Sequence, residues 1–568
     1  MIGEATSHDD QVRRRTGHVV RHLGVLAAVL VICAGSRIWL IRHTKVIAGD
    51  GTTYVRMARQ WGQDPAGVVN RYHYAPGYPA AVAAVHQALD AAGLAHGLGG
   101  WELSGQIVSL IASLAATAAV WCFAALAFNW RVAWISALLF GVGRKWAGLG
   151  ADVLSDALAV CGQMWALVLA VAVANHLRNK SRWALVAAAG VGICGGAGYL
   201  VRPESLIVVF LAIVLWLMRC FRERLSRRLT LGAVASAAAT AAACSVPYMI
   251  AIGGLSKKKT LAQLVLRPSS GGSPFAASGI LASVGADHSS VVEFAAEMFE
   301  AMHPAVGILA CLYLVVWACR RLGRLKPPAQ VVLLPQRDCA FMALGVTAIF
   351  ALMLIGLHTN VGYLSERHAT FPAACLAPFA GAGMVVMVEG IALLAKLLRL
   401  PASRRLVSVV LAGGMGAAML GLHTLRPLHE SKVHFRRAAE FARQQAGGRG
   451  LVLADHAWLV HYCHAPCEVV IPTNRGRVVA ERLRRQIIKS SASYLALTGR
   501  KTICPKRDAR DPGPEDELVK LLLQPGIVEL RIFTTGPHGP KARCGNPVRV
   551  YRVDQAKLRA SARGATGP

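Results

Sequence analysis

The stretch LGVLAAVLVICAGSRIWLI, residues 23–41, decides the class of this protein. Its nineteen residues contain one charged side chain, Arg37. A helix needs about 20 mostly apolar residues to cross the hydrocarbon core of a bilayer. Basic residues at 13–15 and 21 precede the stretch, as in a signal peptide, but no convincing small-residue cleavage site follows it. The stretch is therefore interpreted as a retained first transmembrane helix.

Ten further apolar runs follow, so the chain is predicted to cross a membrane about eleven times. The run 132–143 is too short to span alone, and a re-entrant hairpin stays open there. The predicted fold class is mainly α, a polytopic membrane protein. The ten runs are 105–128, 132–143, 153–175, 183–199, 203–219, 231–250, 304–319, 340–357, 371–395 and 406–422.

Basic residues predict the orientation of these spans. With the N-terminus inside, every inside loop carries Lys or Arg, as the positive-inside rule expects. Arg144 and Lys145 fall in a predicted outside loop and disagree with the rule. The sequence therefore predicts a multi-pass protein of a bacterial inner (cytoplasmic) membrane, with its C-terminal domain in the periplasm or outside.

The formal net charge of +32 would suggest a nucleic-acid partner for a soluble protein. Here most Lys and Arg residues up to position 422 stand in short clusters between apolar runs, and no basic stripe is interleaved with aromatic residues. This pattern indicates contact with membrane lipid and no nucleic-acid partner.

Three regions are predicted. Residues 1–22 form a basic cytoplasmic N-terminus, and 23–422 form a transmembrane domain with outer loops 42–104 and 251–303. Residues 423–568 form a small soluble α/β domain, in which helical and strand patterns alternate and favour a mostly parallel sheet. Its predicted elements are the helices Ser431–Gln445, Val478–Lys489 and Glu515–Leu523 and the strands Leu451–Ala454, Glu468–Ile471, Tyr494–Leu497, Ile527–Phe533 and Val548–Val553.

The first outer loop carries polar groups close to a predicted membrane boundary. Asp50 stands between two glycines that leave its carboxylate uncrowded, and Tyr54 follows four residues later. His73 and Tyr74 precede the rigid turn Pro76–Pro79 and could contact a substrate. The plain alternatives are a turn aspartate or helix N-cap for Asp50 and a structural elbow for Pro76–Pro79.

Two carboxylates open the fourth predicted span. Asp152 and Asp156 are spaced i, i+4, which places them on one face of the first helical turns. A helix N-terminus stabilises such carboxylates. Capping explains Asp152 well, but it explains Asp156 poorly because Asp156 is one turn deeper and has apolar neighbours.

Cationic groups stand at two further predicted outer boundaries. Arg202 precedes a helix N-terminus that carries Glu204, a combination that suits a phosphate. A snorkelling arginine is the alternative, but positive charge is expected mainly inside. Arg367 and His368 lie in the short outer loop before the tenth span and add two potential phosphate donors. An internal Glu366–Arg367 ion pair is the alternative there.

In this order, the motifs resemble the GT-C superfamily of membrane glycosyltransferases. The similar branch holds the dolichyl-phosphate-mannose protein mannosyltransferases and the bacterial aminoarabinose transferases of lipid A. The similarity covers roughly residues 20–400 and consists of five motifs in order. They are Gly49-Asp50-Gly51 with Tyr54, Pro76-Gly77-Tyr78-Pro79, Leu154-Ser155-Asp156-Ala157-Leu158, Arg202-Pro203-Glu204 and Ser365-Glu366-Arg367-His368.

The resemblance implies transfer of a sugar from a polyprenyl-phosphate-linked donor to an extracytoplasmic glycan, lipid or protein acceptor. It implies that Asp50 is the acidic catalytic residue of the first outer loop, Asp156 a second acidic position, and Arg202 the arginine of the Arg-Pro-Glu turn. The chain has Pro76–Pro79 where the aminoarabinose enzymes carry a lysine-containing Pro-Pro motif. Their lysine role is therefore unassigned here, and the acceptor class stays open.

The residue types fit this chemistry independently. Phosphate is a good leaving group, so its departure needs cations more than a general acid, and Arg202 and Arg367 can hold the growing charge. Asp50 is the candidate base for the acceptor hydroxyl, and a single displacement inverts the anomeric centre. Asp156 is expected to position the acceptor, orient Asp50 or help bind a divalent cation; no metal or other cofactor is assigned. Further substrate contacts are expected from Tyr54, His73, Tyr74, Asp152, Glu204 and His368.

The tail contains potential metal ligands within thirteen residues: Asp455, His456, His461, Cys463, His464 and Cys467. Their spacing matches no standard zinc pattern. A Cys463–Cys467 or Cys504–Cys544 disulfide, or no role, is favoured over a metal. A basic helix with Arg482, Arg484, Arg485 and Lys489 is either a solvated face or a contact with anionic lipid headgroups.

Two other functions compete with the transferase. A secondary transporter would show two similar halves and broken helices at mid-membrane, and the sequence shows neither. Arg37 and Glu389, which lie within predicted spans, could serve a transport path or form structural pairs. A non-catalytic sensor or envelope-assembly protein would leave the outer Asp and Arg residues unexplained.

Overall fold

The computed structural model describes residues 5–257, 288–322, 334–361, 364–398, 403–447, 450–463, 467–469, 480–498, 521–523, 527–533 and 548–564. The chain divides into two compact units. The first is formed by Met1–Arg42 with Tyr54–Arg426, and the second by His43–Thr53 with Pro427–Pro568. A short piece of the first predicted outer loop therefore belongs to the same unit as the C-terminal region.

Among the described residues up to 424, the secondary structure consists of helices joined by turns. Local capping explains several helix starts: the Asn129 side chain accepts hydrogen bonds from the first amides of α6, and Ser403 does so for α16. A 3₁₀ turn at Pro203–Ser205 precedes α10, and a π-helical turn at Leu420–Thr424 follows α16. The α-helices are α1 Ala5–His43, α2 Gly49–Trp61, α3 Pro65–Arg71, α4 Gly77–Ala91, α5 Gly97–Ala127, α6 Trp130–Gly141, α7 Arg144–Leu149, α8 Asp156–Arg178, α9 Trp183–Tyr199, α10 Leu206–Arg222, α11 Arg227–Ile252, α12 His288–Met302, α13 Pro304–Arg321, α14 Arg337–Val361, α15 Thr370–Leu397 and α16 Arg404–Met419.

The predicted spans coincide with these helices. Among the described residues, nine helices are long and apolar enough to cross a membrane. Trp130–Gly141 and Trp183–Tyr199 are two shorter apolar helices at the remaining predicted positions. The protein is therefore a multi-pass, mainly helical membrane protein, as predicted.

Hydrogen bonds between helix ends show where the short apolar run 130–141 lies in the bundle. At one end of the bundle, the Arg37 guanidinium donates to the Gly141 carbonyl at 2.9 Å. At the other end, the Gln336 amide donates to the Ala127 carbonyl at 2.8 Å, just before α6 begins. Helix α6 therefore runs from one end of the bundle to the other, although a helix of this length covers only about 18 Å.

Small residues bring α9 close to α11. A β-carbon at Gly192 would collide with the Ala237 carbonyl, and one at Gly196 would collide with the Ala241 carbonyl. Backbones approach this closely only where one side has no side chain, a common device between membrane helices. The contact fixes the end of α9, three residues before Arg202.

The second unit contains a small sheet with helices. Its helices are α17 Val433–Gln445, α18 Ala457–Cys463, α19 Ala480–Ser490 and α20 Gln555–Gly564, and a 3₁₀ turn covers Glu430–Lys432. Its strands are β1 Val452–Ala454, β2 Cys467–Val469, β3 Tyr494–Thr498, β4 Ile527–Phe533 and β5 Val548–Val553. Buried apolar residues from strands and helices form one core, including Leu453, Ile487, Leu495, Tyr551 and Leu558.

The prediction of a mostly parallel sheet was wrong. The strand order is β2-β1-β3-β5-β4. The pairs β1–β2 and β1–β3 are parallel, whereas β3–β5 and β4–β5 are antiparallel, so the described sheet is mixed. Alternating helix and strand patterns predict crossover connections, but they do not determine the direction of the last two strands. Most of the predicted helix Glu515–Leu523, the end of the predicted strand Glu468–Ile471, and Cys504 and Cys544 lie outside the described residues.

Candidate active site

A cavity in the first unit gathers charged residues from three distant parts of the sequence. It has about 240 Å³ of empty space, part of it open to solvent. The start of α8, the turn before α10 and the turn before α15 supply its polar walls. The lining residues are Asp156, Ala159, Val160, Gln163, Arg202, Glu204, Phe350, Arg367, His368 and Phe371.

Asp156 is the first residue of α8 and is only 2% exposed. Its Oδ1 atom accepts a hydrogen bond from Arg202 Nη2 at 2.7 Å. Its Oδ2 atom is buried and has no hydrogen-bond partner among the described residues. A buried carboxylate oxygen without a partner is costly, so this atom is available for a substrate or cation in the cavity.

Arg202 is held in an extended conformation between α9 and the 3₁₀ turn that begins at Pro203. Its amide donates to the Gly198 carbonyl at 2.7 Å, and its Nη1 atom lies 3.4 Å from Glu204 Oε1. Burial lowers the pKa of Arg202. The carboxylates of Asp156 and Glu204 raise this pKa by more than burial lowers it, so the pKa lies above its usual value. The guanidinium therefore stays charged, although only 16% of the Arg202 side chain is exposed.

Arg367 and His368 lie in the turn that leads into α15. The His368 amide donates to the Ser365 carbonyl at 2.8 Å, which closes this turn. Burial, followed by the nearby Arg202, lowers the pKa of His368 to about 4. His368 is therefore neutral at pH 7, so it can donate one N–H to a phosphate but adds no positive charge.

Lys145 lies beside the candidate site, and the sequence analysis did not identify it. It lies in α7 and forms an ion pair with Glu366, next to Arg367 in the chain. Glu366 therefore has a cationic partner from outside its own turn. Burial, followed by Arg367, lowers the pKa of Lys145 to about 8. The signal was present in the sequence, because Arg144 and Lys145 were the exception to the positive-inside rule.

Tyr54 connects helix α2 to the start of α8. Its hydroxyl lies 2.9 Å from the Ser155 hydroxyl, one residue before Asp156. Its ring contacts those of Tyr74 and Tyr78, each with centroids 5.1 Å away. Burial raises the pKa of Tyr78 well above its usual value.

His73 extends this aromatic cluster, with its ring 5.8 Å from that of Tyr74. Neither His73 nor Tyr74 is among the residues that line the cavity. Asp152 is buried, and its Oδ1 atom accepts a hydrogen bond from the Val153 amide at 2.8 Å. The structure thus brings Asp156, Arg202, Glu204, Arg367 and His368 together, and it gives Asp152 a local turn contact.

Asp50 lies in the second unit, in the first turn of α2. The preceding Gly49 faces the Trp458 ring, at a distance where an added β-carbon would be 3.7 Å from it. Helix α2 continues to Trp61, so Asp50 and Tyr54 are spaced i, i+4 on the same helix.

Arg37 shows the arrangement of a structural charge. It is fully buried in α1, and its guanidinium donates to the Cys33 carbonyl, the Ser113 hydroxyl and the Gly141 carbonyl. These groups belong to packed helices, and Arg37 does not line the cavity. Glu389 lies 3.2 Å from Arg404.

The tail residues considered as metal ligands have other contacts. Asp455 accepts hydrogen bonds from the Thr498 amide and hydroxyl, and burial raises its pKa to about 6. The His456 ring stacks on the Trp458 ring. Within the part of the chain that the structure describes, no three His, Cys, Asp or Glu residues could hold a metal ion together. His464 lies outside that part, as does the Cys467 side chain.

The fold has solved relatives. The oligosaccharyltransferase AglB from the archaeon Archaeoglobus fulgidus is similar with a TM-score of 0.58 and 13% identity, over 94% of this chain and 74% of that one. ArnT from Cupriavidus metallidurans is similar with a TM-score of 0.55 and 14% identity, over 96% of this chain and 99% of that one. No protein-family model matches the sequence, and no curated protein matches it. The chain therefore has the GT-C-like fold of membrane glycosyltransferases.

Proposed function

We propose that this protein is an integral membrane glycosyltransferase that moves a sugar from a polyprenyl-phosphate-linked donor to an extracytoplasmic acceptor. The observation that carries the proposal is the convergence of Asp156, Arg202 and Arg367 in one cavity at a helix N-terminus. This convergence joins three motifs that are spread over more than two hundred residues of the sequence. It is the arrangement expected for an enzyme that holds a lipid phosphate.

The cavity has the charged groups that bind a phosphate. Arg202 and Arg367 offer charged N–H donors, which phosphate oxygens accept well, and the start of α8 adds a helix dipole. The cavity is therefore proposed to hold the phosphate of the donor, while the sugar and the lipid chain extend beyond it.

In the proposed reaction, the two arginines stabilise the negative charge that develops on the departing lipid phosphate. Asp50 accepts the proton of the acceptor hydroxyl as that oxygen attacks the anomeric carbon. The bond from the anomeric carbon to the phosphate oxygen breaks as the new glycosidic bond forms. This single displacement inverts the anomeric centre.

The base assignment for Asp50 rests on its motif, a carboxylate between two glycines. The Tyr54 hydroxyl bonds to the Ser155 hydroxyl, beside Asp156. Tyr54, His73, Tyr74 and Asp152 are proposed to shape the acceptor side of the reaction.

Asp156 has two proposed roles. Through Oδ1 it orients Arg202, and through Oδ2 it binds an acceptor hydroxyl or a divalent cation. We call Arg202 and Arg367 the phosphate clamp. Lys145 completes the clamp because its ion pair with Glu366 holds the turn that carries Arg367. Arginine and lysine side chains already supply positive charge, so the proposed reaction does not require a divalent cation. The experiment below tests whether one takes part.

The known relatives support a polyprenyl phosphate as the lipid. One AglB structure contains an inhibitory peptide and a dolichol-phosphate. One ArnT structure contains undecaprenyl phosphate. By the positive-inside rule, we propose a bacterial inner membrane location with the C-terminal domain, residues 423–568, outside. The proposed acceptor is an envelope glycan, lipid or protein.

The test compares cells that carry the wild-type protein, Asp50→Asn or Arg202→Gln in place of the chromosomal copy. Lipid-linked sugars and envelope glycans are analysed by mass spectrometry. We expect both variants to accumulate one lipid-linked sugar and to lack one glycan, which names the donor and the acceptor. Unchanged glycans in both variants, with normal protein levels, would contradict the proposal.

Membranes from the Asp50→Asn cells then serve as substrate, since they contain the accumulated donor and its acceptor. Adding purified wild-type protein in detergent gives the rate of transfer. Treatment with a chelator before mixing tests the divalent cation. This transfer assay is used for all variants below.

A further inference from the structure

The residues just before Asp50 form an irregular segment, Thr44–Ala48, between α1 and α2. The last three residues of this segment are buried: Val46 is 1% exposed, Ile47 2% and Ala48 6%. A buried segment without helix or strand partners must bind its backbone polar groups in another way.

Side chains from the C-terminal region provide these bonds. The Ile47 amide donates to the Tyr462 hydroxyl at 3.0 Å, and the Trp458 indole N–H donates to the Ile47 carbonyl at 2.9 Å. Arg436 Nη1 donates to the Lys45 carbonyl at 2.7 Å. The partners are about four hundred residues away in sequence, so these bonds are tertiary contacts within the second unit.

The anchoring side chains are themselves fixed by packing. The Trp458 ring lies 4.8 Å from the His456 ring in a stacked arrangement and 5.2 Å from the Phe435 ring. The Arg436 guanidinium lies over the Tyr462 ring at 5.1 Å. Stacked aromatic rings and a cation–π contact restrict rotamer freedom, so the bonds to the segment are made by a rigid surface.

We propose that Trp458, Tyr462 and Arg436 are positioning residues that set the place of the carboxylate of Asp50. The inference rests on the proposed function, in which Asp50 is the base. Gly49 lies against the Trp458 ring, and Asp50 follows it in the first turn of α2. Side chains of the C-terminal region thus hold the backbone that leads into the base.

The first experiment measures the anchor without using activity. Hydrogen–deuterium exchange is followed on full-length protein in nanodiscs for wild type, Tyr462→Phe and Trp458→Phe. The Tyr462→Phe variant removes the acceptor of the Ile47 amide and keeps the ring. We expect peptides covering residues 44–50 to exchange about fivefold faster, which corresponds to one lost hydrogen bond.

The matched control is Tyr494→Phe. The Tyr494 hydroxyl also bonds to a backbone group of the second unit, but it donates, to the Gln445 carbonyl at 2.7 Å. This variant makes the same chemical change away from the segment. It should leave the exchange of residues 44–50 and the rate of transfer unchanged.

The second experiment measures transfer and binding in the same variants. Tyr462→Phe and Trp458→Phe should lower the transfer rate by about tenfold, because a base displaced by a fraction of an ångström loses catalytic efficiency. Their affinity for undecaprenyl phosphate, used as the probe, should stay within twofold of wild type. A merely destabilising change would lower both quantities together.

Unchanged exchange in both aromatic variants would overturn the inference. Faster exchange with an unchanged transfer rate in these variants would also overturn the inference if Asp50→Asn abolishes transfer. That result would leave the proposed function intact. Transfer that survives Asp50→Asn would overturn the base assignment and this inference together.

Discussion

Two buried Arg–Asp ion pairs lie at opposite ends of helix α10. Arg202 precedes the helix and lies 2.7 Å from Asp156, and Arg219 in its last turn lies 2.7 Å from Asp338. Both aspartates are almost fully buried. In both, Oδ2 has no hydrogen-bond partner among the described residues.

The two pairs differ in their surroundings. Each arginine has a second carboxylate at 3.4 Å, Glu204 for Arg202 and Glu223 for Arg219, so the number of acids is not the difference. Around the Arg202 pair, Arg367 and His368 also converge, and the four residues line a cavity. A buried ion pair with an unsatisfied oxygen therefore does not by itself define a site. What defines the candidate site is a second arginine, Arg367, together with open space beside the pair.

The largest expected difference between the pairs is in Arg202→Gln and Arg219→Gln. Arg202→Gln should lower the transfer rate by about 10²–10³-fold, because it removes a charged donor to the departing phosphate. Arg219→Gln should leave the rate per folded molecule unchanged and lower the melting temperature. The transfer assay with thermal unfolding of each protein checks both outcomes. Equal losses of transfer would remove the distinction between the two pairs.

Substitutions of the two aspartates, Asp156 and Asp338, should differ in the same way, with a smaller effect on the transfer rate. We expect Asp156→Asn to lower the transfer rate by about tenfold to a hundredfold, because Arg202 loses its orientation. Asp338→Asn should destabilise the fold by about 3–5 kcal/mol, the usual cost of breaking a buried ion pair. Chemical denaturation and the transfer assay measure these effects. A normal transfer rate in Asp156→Asn would show that the Arg202–Asp156 pair is structural, like the Arg219–Asp338 pair.

Lys145 sharpens the comparison because it lies near one pair only. Lys145→Met should weaken the binding of undecaprenyl phosphate by about tenfold, since Arg367 loses the ion pair that holds its turn. The control Lys557→Met changes an exposed lysine 3.9 Å from Asp554 and should have no effect. Titration calorimetry with undecaprenyl phosphate measures the affinity. Equal affinities of Lys145→Met and wild type would exclude Lys145 from the clamp.

Lys145 also predicts a pH dependence. The pKa of Lys145 is about 8, so it is cationic below that pH and loses its charge as the pH rises through it. The affinity of the wild type for undecaprenyl phosphate should therefore decrease by a few-fold between pH 7 and pH 9. Lys145→Met should show no such decrease. A decrease that persists in the variant would assign the titration to another group.

The smallest expected effect is that of His368→Gln. The pKa of His368 is about 4, so the imidazole is already neutral between pH 5 and pH 8. The substitution should lower transfer only a few-fold, because the glutamine amide still offers an N–H donor but in a different position, and it should leave the shape of the pH profile in this range unchanged. A step near pH 6.5 that disappears in the variant would contradict the neutral state.

Much of the fold could be predicted from sequence because membrane spans have a local signature. About 20 apolar residues in a row mark a span regardless of what packs against it. Every predicted span therefore coincides with an apolar helix. The Asp156 and Arg202 motifs were also recognisable, because charged groups beside apolar runs are rare and costly.

Other features could not be read from the chain. The parallel sheet was predicted from alternation of elements, whereas strand direction depends on how distant strands pair. Lys145 was counted as a topological exception, because its partner Glu366 is more than two hundred residues away. Residues 43–53 were assigned to the membrane domain, whereas their contacts group them with the second unit.

The sequence by itself determined a multi-pass helical protein with a small α/β region and a set of polar motifs at helix starts. These properties depend on runs of neighbouring residues, whose hydrophobicity is fixed by composition. The tertiary structure alone decided which motifs share a cavity and which aromatic residues hold the segment before Asp50. Those relations depend on packing between residues that are hundreds of positions apart, and no local pattern encodes such distances.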